Sequence, residues 1–307
     1  MFNSGYEFLS VLVCVHIFFI PFLYIYSLTT SIWPLSLIYG LWIYYDKSPF
    51  KSGRYSPWLR DISMFKVFAN YFPSSVVCDT PLEDKQYMFS YSPHGIIGTG
   101  SFCTLGTNGN GFYKHYKRPL RVATIDFNFY MPLFRDIFIL LGYLSCAKHT
   151  LELNLRQGQS IVVVLGGAQE VQYFDKEHYN VIVDKRYGFF KLALQHGIDI
   201  VPVFTFGEND IHKVMNLKNG LFKAVQSFIK NFFGFYLVPF YGQFALIPFR
   251  QPMTTVIGNP IKVTQIQDPT EQDVKMIQSL YKEELQHLFN KYQPKYGKHI
   301  KTINFVH

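Results

Sequence analysis

The chain has 307 residues, enough for one large domain or two modest ones with a sizeable core. It is 49% hydrophobic, 18% aromatic and only 16% charged, against about 25% charged in an average soluble protein, so part of its surface faces something other than water. The formal net charge of +8 suits anionic lipid or a polyanionic small substrate; no groove-reading helix or arginine-rich arm is present, and nucleic acid is excluded as a partner.

Residues 1–45 contain no Lys or Arg, and their one acidic residue is Glu7. Phe8 to Leu28 is a 21-residue run without formal charge, long enough to cross a hydrocarbon core of about 30 Å. His16 within it reads as a polar contact inside the membrane. A second apolar run, Ile32 to Tyr45, carries Pro34 and Gly40. Lys47, Lys51, Arg54, Arg60 and Lys66 follow and place this flank in the cytosol by the positive-inside tendency. Two arrangements fit: a transmembrane or re-entrant hairpin turning at Thr29 to Trp33, or one crossing followed by an interfacial helix. A cleaved signal peptide is disfavoured, because there is no cationic n-region and no A-x-A site.

Residues 46–80 read as a basic, aromatic interfacial connector. Its helix is predicted over Ser56 to Tyr71, with Trp58, Ile62, Phe65 and Phe68 or Ala69 at helical spacing. This face could meet the protein core or the bilayer. Residues 81–307 then alternate strands and helices. Gln86 to Tyr91, Leu120 to Ile125, Ile161 to Leu165 and Asp199 to Phe206 read as strands, the third as one buried on both faces. Arg186 to His196 reads as a helix closed by Gly197. Thr270 to Tyr292 reads as an amphipathic helix with a Thr270/Asp273 capping box and an apolar stripe of Val274, Ile277, Tyr281, Leu285, Leu288 and Phe289. The pattern predicts an α/β fold with a mostly parallel sheet and crossover helices. The cysteines at 14, 78, 103 and 146 form no C-x-x-C pair, so free thiols are expected and no metal site is legible.

Three loops follow three of these strands: Ser92–Pro93–His94–Gly95, Gly166–Gly167–Ala168–Gln169–Glu170 and Gly207–Glu208–Asn209–Asp210. In open α/β sheets ligands bind beyond the carboxyl ends of strands. A neutral His94 is a candidate general base toward a hydroxyl. Pro93 stiffens its approach, and Gly95 allows close contact and is expected to open a helix. Glu170 is expected to orient the imidazole and stabilise its charged form. Gly166 and Gly167 could leave N–H groups for an oxyanion. Lys185, Arg186 and Lys191 are candidate contacts for phosphates. Each reading has a plain structural alternative: a turn histidine, a helix-capping glutamate, a solvated basic face. No G-x-S-x-G elbow, H-E-x-x-H, P-loop or G-x-G-x-x-G after a strand is present.

The segments from Gly53 to Pro73, YSPHGIIGTG (Tyr91 to Gly100), FYMPLFRD (Phe129 to Asp136), GGAQE, Arg186 to Asp210 and PMTTVIGNPI (Pro252 to Ile261) resemble, in this order, the diacylglycerol acyltransferase type 2 family. That family includes monoacylglycerol acyltransferases and some wax synthases. The resemblance implies an endoplasmic reticulum membrane enzyme, also at lipid droplets, with its catalytic region in the cytosol. It implies His94 as the catalytic histidine, Glu170 as its candidate partner, and Arg186, Gly188 and Phe189 in the site; Glu208 and Asn209, in the loop after the strand Asp199 to Phe206, are further candidate substrate-binding residues. It implies no metal. Ser92 stands where the animal enzymes carry the first His of His-Pro-His-Gly. Position 99 is Thr, so the His-Asp dyad of the wider glycerolipid acyltransferases is absent; Glu170 or Asp126 must supply a carboxylate, with Glu170 preferred.

The expected reaction is direct transfer of an acyl group from acyl-CoA to diacylglycerol, without a cofactor. Monoacylglycerol or a long-chain alcohol is the alternative acceptor. A silent lipid-binding protein and a thioesterase are the other classes. Expected partners are acyl-CoA, the lipid alcohol and the bilayer, with self-association left open.

Overall fold

The computed structural model describes residues 4–16, 19–215, 220–233, 236 and 238–306. Its strands are β1 (Ser75–Cys78), β2 (Met88–Ser92), β3 (Leu120–Thr124), β4 (Tyr143–Ser145), β5 (Ser160–Val164), β6 (His178–Ile182), β7 (Ile200–Phe206), β8 (Lys213–Val214), β9 (Phe240–Tyr241), β10 (Thr254–Ile257) and β11 (Thr302–Val306). Seven of them form one sheet in the order β1-β10-β7-β2-β5-β3-β4. All of its pairings are parallel except β10 with β7. β2 lies between β7 and β5, and all five of its residues are buried. β6 pairs with β11 and β8 with β9 in two small ribbons.

Successive residues of a strand face opposite sides, and the core divides accordingly. Phe89, Tyr91, Val201 and Val203 pack on one side with the Ser63–Tyr71 helix and with Phe134 and Phe138. Met88, Ile200 and Phe204 pack on the other with the Tyr187–His196 and Glu271–Tyr296 helices. The Thr270/Asp273 capping box is formed, and the predicted apolar stripe is buried. Gly197, at φ +61°, ends the Tyr187–His196 helix in the left-handed conformation that favours glycine.

The predicted connector helix is broken. It runs as Pro57–Arg60 and Ser63–Tyr71, with Ile62 extended between them. Arg60 turns inward and is fully buried, donating to the carbonyls of Leu120 and Leu105. A continuous helix would not satisfy that guanidinium, and burying it unpaired would cost far more than the lost turn. Trp58 consequently points outward, 77% exposed, rather than joining the predicted stripe.

The first apolar run is not a single helix. It forms two helices, Gly5–His16 and Ile20–Ser27, bent by 68°, and among the described residues no single helix is long and apolar enough to cross a membrane. Pro21 stands at the opening of the second helix, where its missing N–H is tolerated. The first helix packs against the sheet's own core through Val11, Cys14 and Val15. It is tied there by Glu7 to Arg250 at 3.2 Å. The helix Trp33–Tyr45 folds back on Ile20–Ser27. Tyr24 donates to the Ser36 carbonyl at 3.0 Å, and the Ser27 and Ser36 hydroxyls meet at 2.6 Å. Gly40 makes this possible, since a Cβ there would lie 2.5 Å from the Tyr24 hydroxyl. The outer side of this hairpin is bare: Phe22, Leu23, Leu35, Ile38 and Leu41 are all more than 60% exposed.

Candidate active site

The sheet order brings the three loops together. β7, β2 and β5 are adjacent and parallel, so GEND, SPHG and GGAQE leave the same edge side by side. The β2 loop enters through a cis Ser92–Pro93 bond and turns at Gly95, φ +64°, and Gly98, φ +71°. No helix opens at Gly95 as predicted. The first helical turn is Thr99–Ser101, because Gly98 holds the left-handed conformation just before it.

The His94 ring carries its own tautomer instruction. Nδ1 lies 3.1 Å from the Gly95 carbonyl oxygen. A carbonyl only accepts, so Nδ1 carries the hydrogen and Nε2 keeps its lone pair. Burial pushes the imidazole pKa down, the Gly95 carbonyl opposes this, and the Arg186 charge adds to the lowering. The ring is half-buried and lines a partly open cavity.

Glu170 does not touch the imidazole. Its Oε2 accepts from the His94 backbone N–H at 2.9 Å, and its Oε1 accepts from the Ile182 N–H at 2.9 Å. The carboxylate is a clamp between the His94 loop and β6. The sequence expectation of an imidazole partner is corrected on this point: both carboxylate oxygens accept from backbone N–H groups, and His94 Nδ1 is engaged by the Gly95 carbonyl instead. Burial raises the carboxyl to about 7, against the two N–H groups, which favour the charged form. Asp126, the other candidate, is engaged by the Ser145 hydroxyl at 2.5 Å.

Gly166 is fitted to this clamp. A Cβ there would lie 1.8 Å from the Glu170 carboxyl. Gly166→Ala is therefore expected to displace Glu170 and destabilise the fold by about 1–3 kcal/mol, read as a lowered midpoint of thermal unfolding. A wild-type midpoint would show that the loop yields freely.

The cavity has a volume of about 840 Å³. Phe68, Phe102, Met131, Phe138, Tyr143 and Phe189 give it apolar walls, and His94, Asn128, Lys148, Gln169, Lys185 and Arg186 its polar ones. Arg186 is held by the Gly166 carbonyl and by Gln169 Oε1, the latter at 3.0 Å. Among the described residues no cluster could hold a metal ion.

Six sequence-predicted residues line this cavity: His94, Gly167, Lys185, Arg186, Gly188 and Phe189. Pro93, Gly95, Gly166, Glu170, Glu208 and Asn209 stand behind it. Glu208 sits beneath the His94 loop, accepting from Tyr91 Oη at 3.0 Å and the Gly100 N–H at 2.7 Å. Burial raises its carboxyl to about 7. A Cβ on Gly95 would lie 2.6 Å from Glu208, so the two are packed together. Asn209 donates to the Asp175 carbonyl at 2.8 Å. Sequence reasoning missed Lys148. It follows β4, a three-residue strand too short to announce itself, and the rule of strand carboxyl ends would have found it had β4 been legible.

Residues 24–305 match the family model for diacylglycerol acyltransferase. Diacylglycerol O-acyltransferase 2 of Xenopus tropicalis is 35% identical over 289 residues, covering 90% of this chain and 80% of the relative. Its human counterpart is 34% identical, over 89% and 74% of the two chains. Human 2-acylglycerol O-acyltransferase 3 is 35% identical, over 88% and 83%. Among solved structures, the 1-acyl-sn-glycerophosphate acyltransferase of Thermotoga maritima aligns over 92% of this chain and 97% of its own, at 12% identity and a TM-score of 0.44. The chain belongs to the diacylglycerol acyltransferase family.

Proposed function

We propose that this protein is an acyl-CoA-dependent O-acyltransferase that esterifies diacylglycerol to triacylglycerol at the cavity holding His94. The observation that carries the reading is the ring itself. Its Nδ1–H is committed to a carbonyl, and its basic nitrogen is left free in a largely apolar chamber with cations on its wall.

The chemistry follows from that nitrogen. Nε2 takes the proton of the lipid hydroxyl as the oxygen attacks the thioester carbon. The backbone of Gly167, on the cavity wall, is the candidate to receive the developing oxyanion. The carbon–sulfur bond breaks, and the sulfur leaves with the proton from the imidazolium. Lys148, Lys185 and Arg186 suit the phosphates of coenzyme A. Monoacylglycerol is the second acceptor reading, favoured by the equal similarity to the 2-acylglycerol enzyme. Offering purified protein diacylglycerol, monoacylglycerol, a fatty alcohol and water alongside labelled acyl-CoA decides among them. The proposal requires triacylglycerol as the main product, and free fatty acid alone would refute it.

The setting proposed is the endoplasmic reticulum membrane, with the catalytic region in the cytosol. The helix Trp33–Tyr45 has 13 residues, about 20 Å at 1.5 Å per residue, short of a core of about 30 Å. The bare hairpin therefore suits one leaflet, as a re-entrant anchor. A glycosylation acceptor inserted at residue 30 is expected to remain unmodified in microsomes, and its glycosylation would place the turn in the lumen.

A further inference from the structure

The cavity lining has a cationic part and an uncharged part. Lys185 and Arg186 stand beside the loop after β5, and Lys148 follows β4, toward one end of the strand order. His94 follows β2. The part lined by Phe68 and Phe102 carries no formal charge. Phe102 continues the catalytic loop eight residues beyond His94 and meets Phe68 edge-on at 6.1 Å. Cys14 joins this part of the lining. It comes from the helix Gly5–His16, otherwise an anchoring element.

A thioester bound with its phosphates on the cations and its carbonyl carbon at His94 can run its chain along the uncharged wall of Phe68, Phe102 and Cys14. We infer that the helix Gly5–His16 is the floor of the acyl pocket, and that Cys14, with Phe68 and Phe102, sets the longest acyl chain the enzyme accepts. This rests on the acyltransferase reading above. The floor is fixed in place rather than loosely apposed. Val11 is wholly buried, Glu7 pairs with Arg250, and the Tyr6 hydroxyl meets Ser63 Oγ at 3.1 Å. Cysteine is small, so a larger residue there must take its volume from the cavity or from a close-packed core that has none to give.

The test compares kcat/KM for oleoyl-CoA and decanoyl-CoA, using full-length protein with saturating diacylglycerol. Cys14→Trp is expected to lower the oleoyl-to-decanoyl ratio by about tenfold, the cost of leaving two or so methylenes unburied, with the decanoyl value preserved. Phe102→Ala is expected to shift preference toward longer donors. Leu9→Trp, on the same helix but 52% exposed, is expected to leave the ratio unchanged. If Cys14→Trp is silent toward every donor, Cys14→Leu and Phe102→Ala decide, and unchanged ratios in both overturn the inference. A wild-type protein that makes no ester from any donor instead defeats the functional reading, and the gauge with it.

Discussion

His94→Ala is expected to lower acyl transfer by about 1,000-fold, the middle of the range for a positioned general base, while expression, membrane association and thermal unfolding stay at wild-type values. The fold should tolerate the change because the ring makes one hydrogen bond, to the neighbouring Gly95 carbonyl, and otherwise faces the cavity. The pH dependence supplies a second check. Only the neutral ring can accept a proton, and burial places its pKa below the usual 6.5. kcat/KM should therefore rise with pH through a midpoint below 6.5 and be level at neutral pH. A midpoint above 7, or a His94→Ala enzyme at full rate, would assign the base elsewhere.

Glu170→Ala should be nearly as damaging, for a different reason. It leaves the backbone N–H groups of His94 and Ile182 buried without an acceptor, at about 1–3 kcal/mol each. Activity falls because the catalytic loop loses its tether, so kcat should drop without displacement of the acid limb that His94 sets. Glu170→Gln has one acceptor oxygen for two donors and should fall between the two. The wild-type stability profile carries the same residue's mark. The folded pKa, about 7, lies above the ordinary value of 4.5. The native state thus holds an extra proton between those values, and stability declines as pH rises from about 4.5 to 7. Glu170→Gln should flatten that decline. A shifted acid limb with unchanged stability would instead mark Glu170 as a proton partner of the ring.

Much of this site was legible because strands announce themselves by local chemistry. The run Ile161 to Leu165 and the DIVPVFTF segment each end in a polar loop, and parallel pairing to a common neighbour aligns those ends. The Thr270/Asp273 cap and its stripe were legible for the same local reason. What escaped depends on tertiary partners. Nothing near Arg60 shows that two distant carbonyls, Leu105 and Leu120, will draw it inward and break its helix. Nothing near Glu170 tells that its carboxylate meets backbone rather than imidazole. Charge-free residues 8–16 read as membrane-spanning, and one face of their helix packs against the core of the sheet through Val11, Cys14 and Val15, because apolar sequence satisfies lipid and protein interior alike.

The direct attack of a lipid hydroxyl on the thioester can be tested in a single quench. Wild-type protein is mixed with acyl-labelled acyl-CoA without an acceptor, stopped in acid, and repeated after diacylglycerol is added. Label should stay on coenzyme A in the first sample and move to triacylglycerol in the second, with one free thiol released per ester formed. A stoichiometric burst of thiol before the acceptor arrives, with label retained on the denatured protein, would contradict the account.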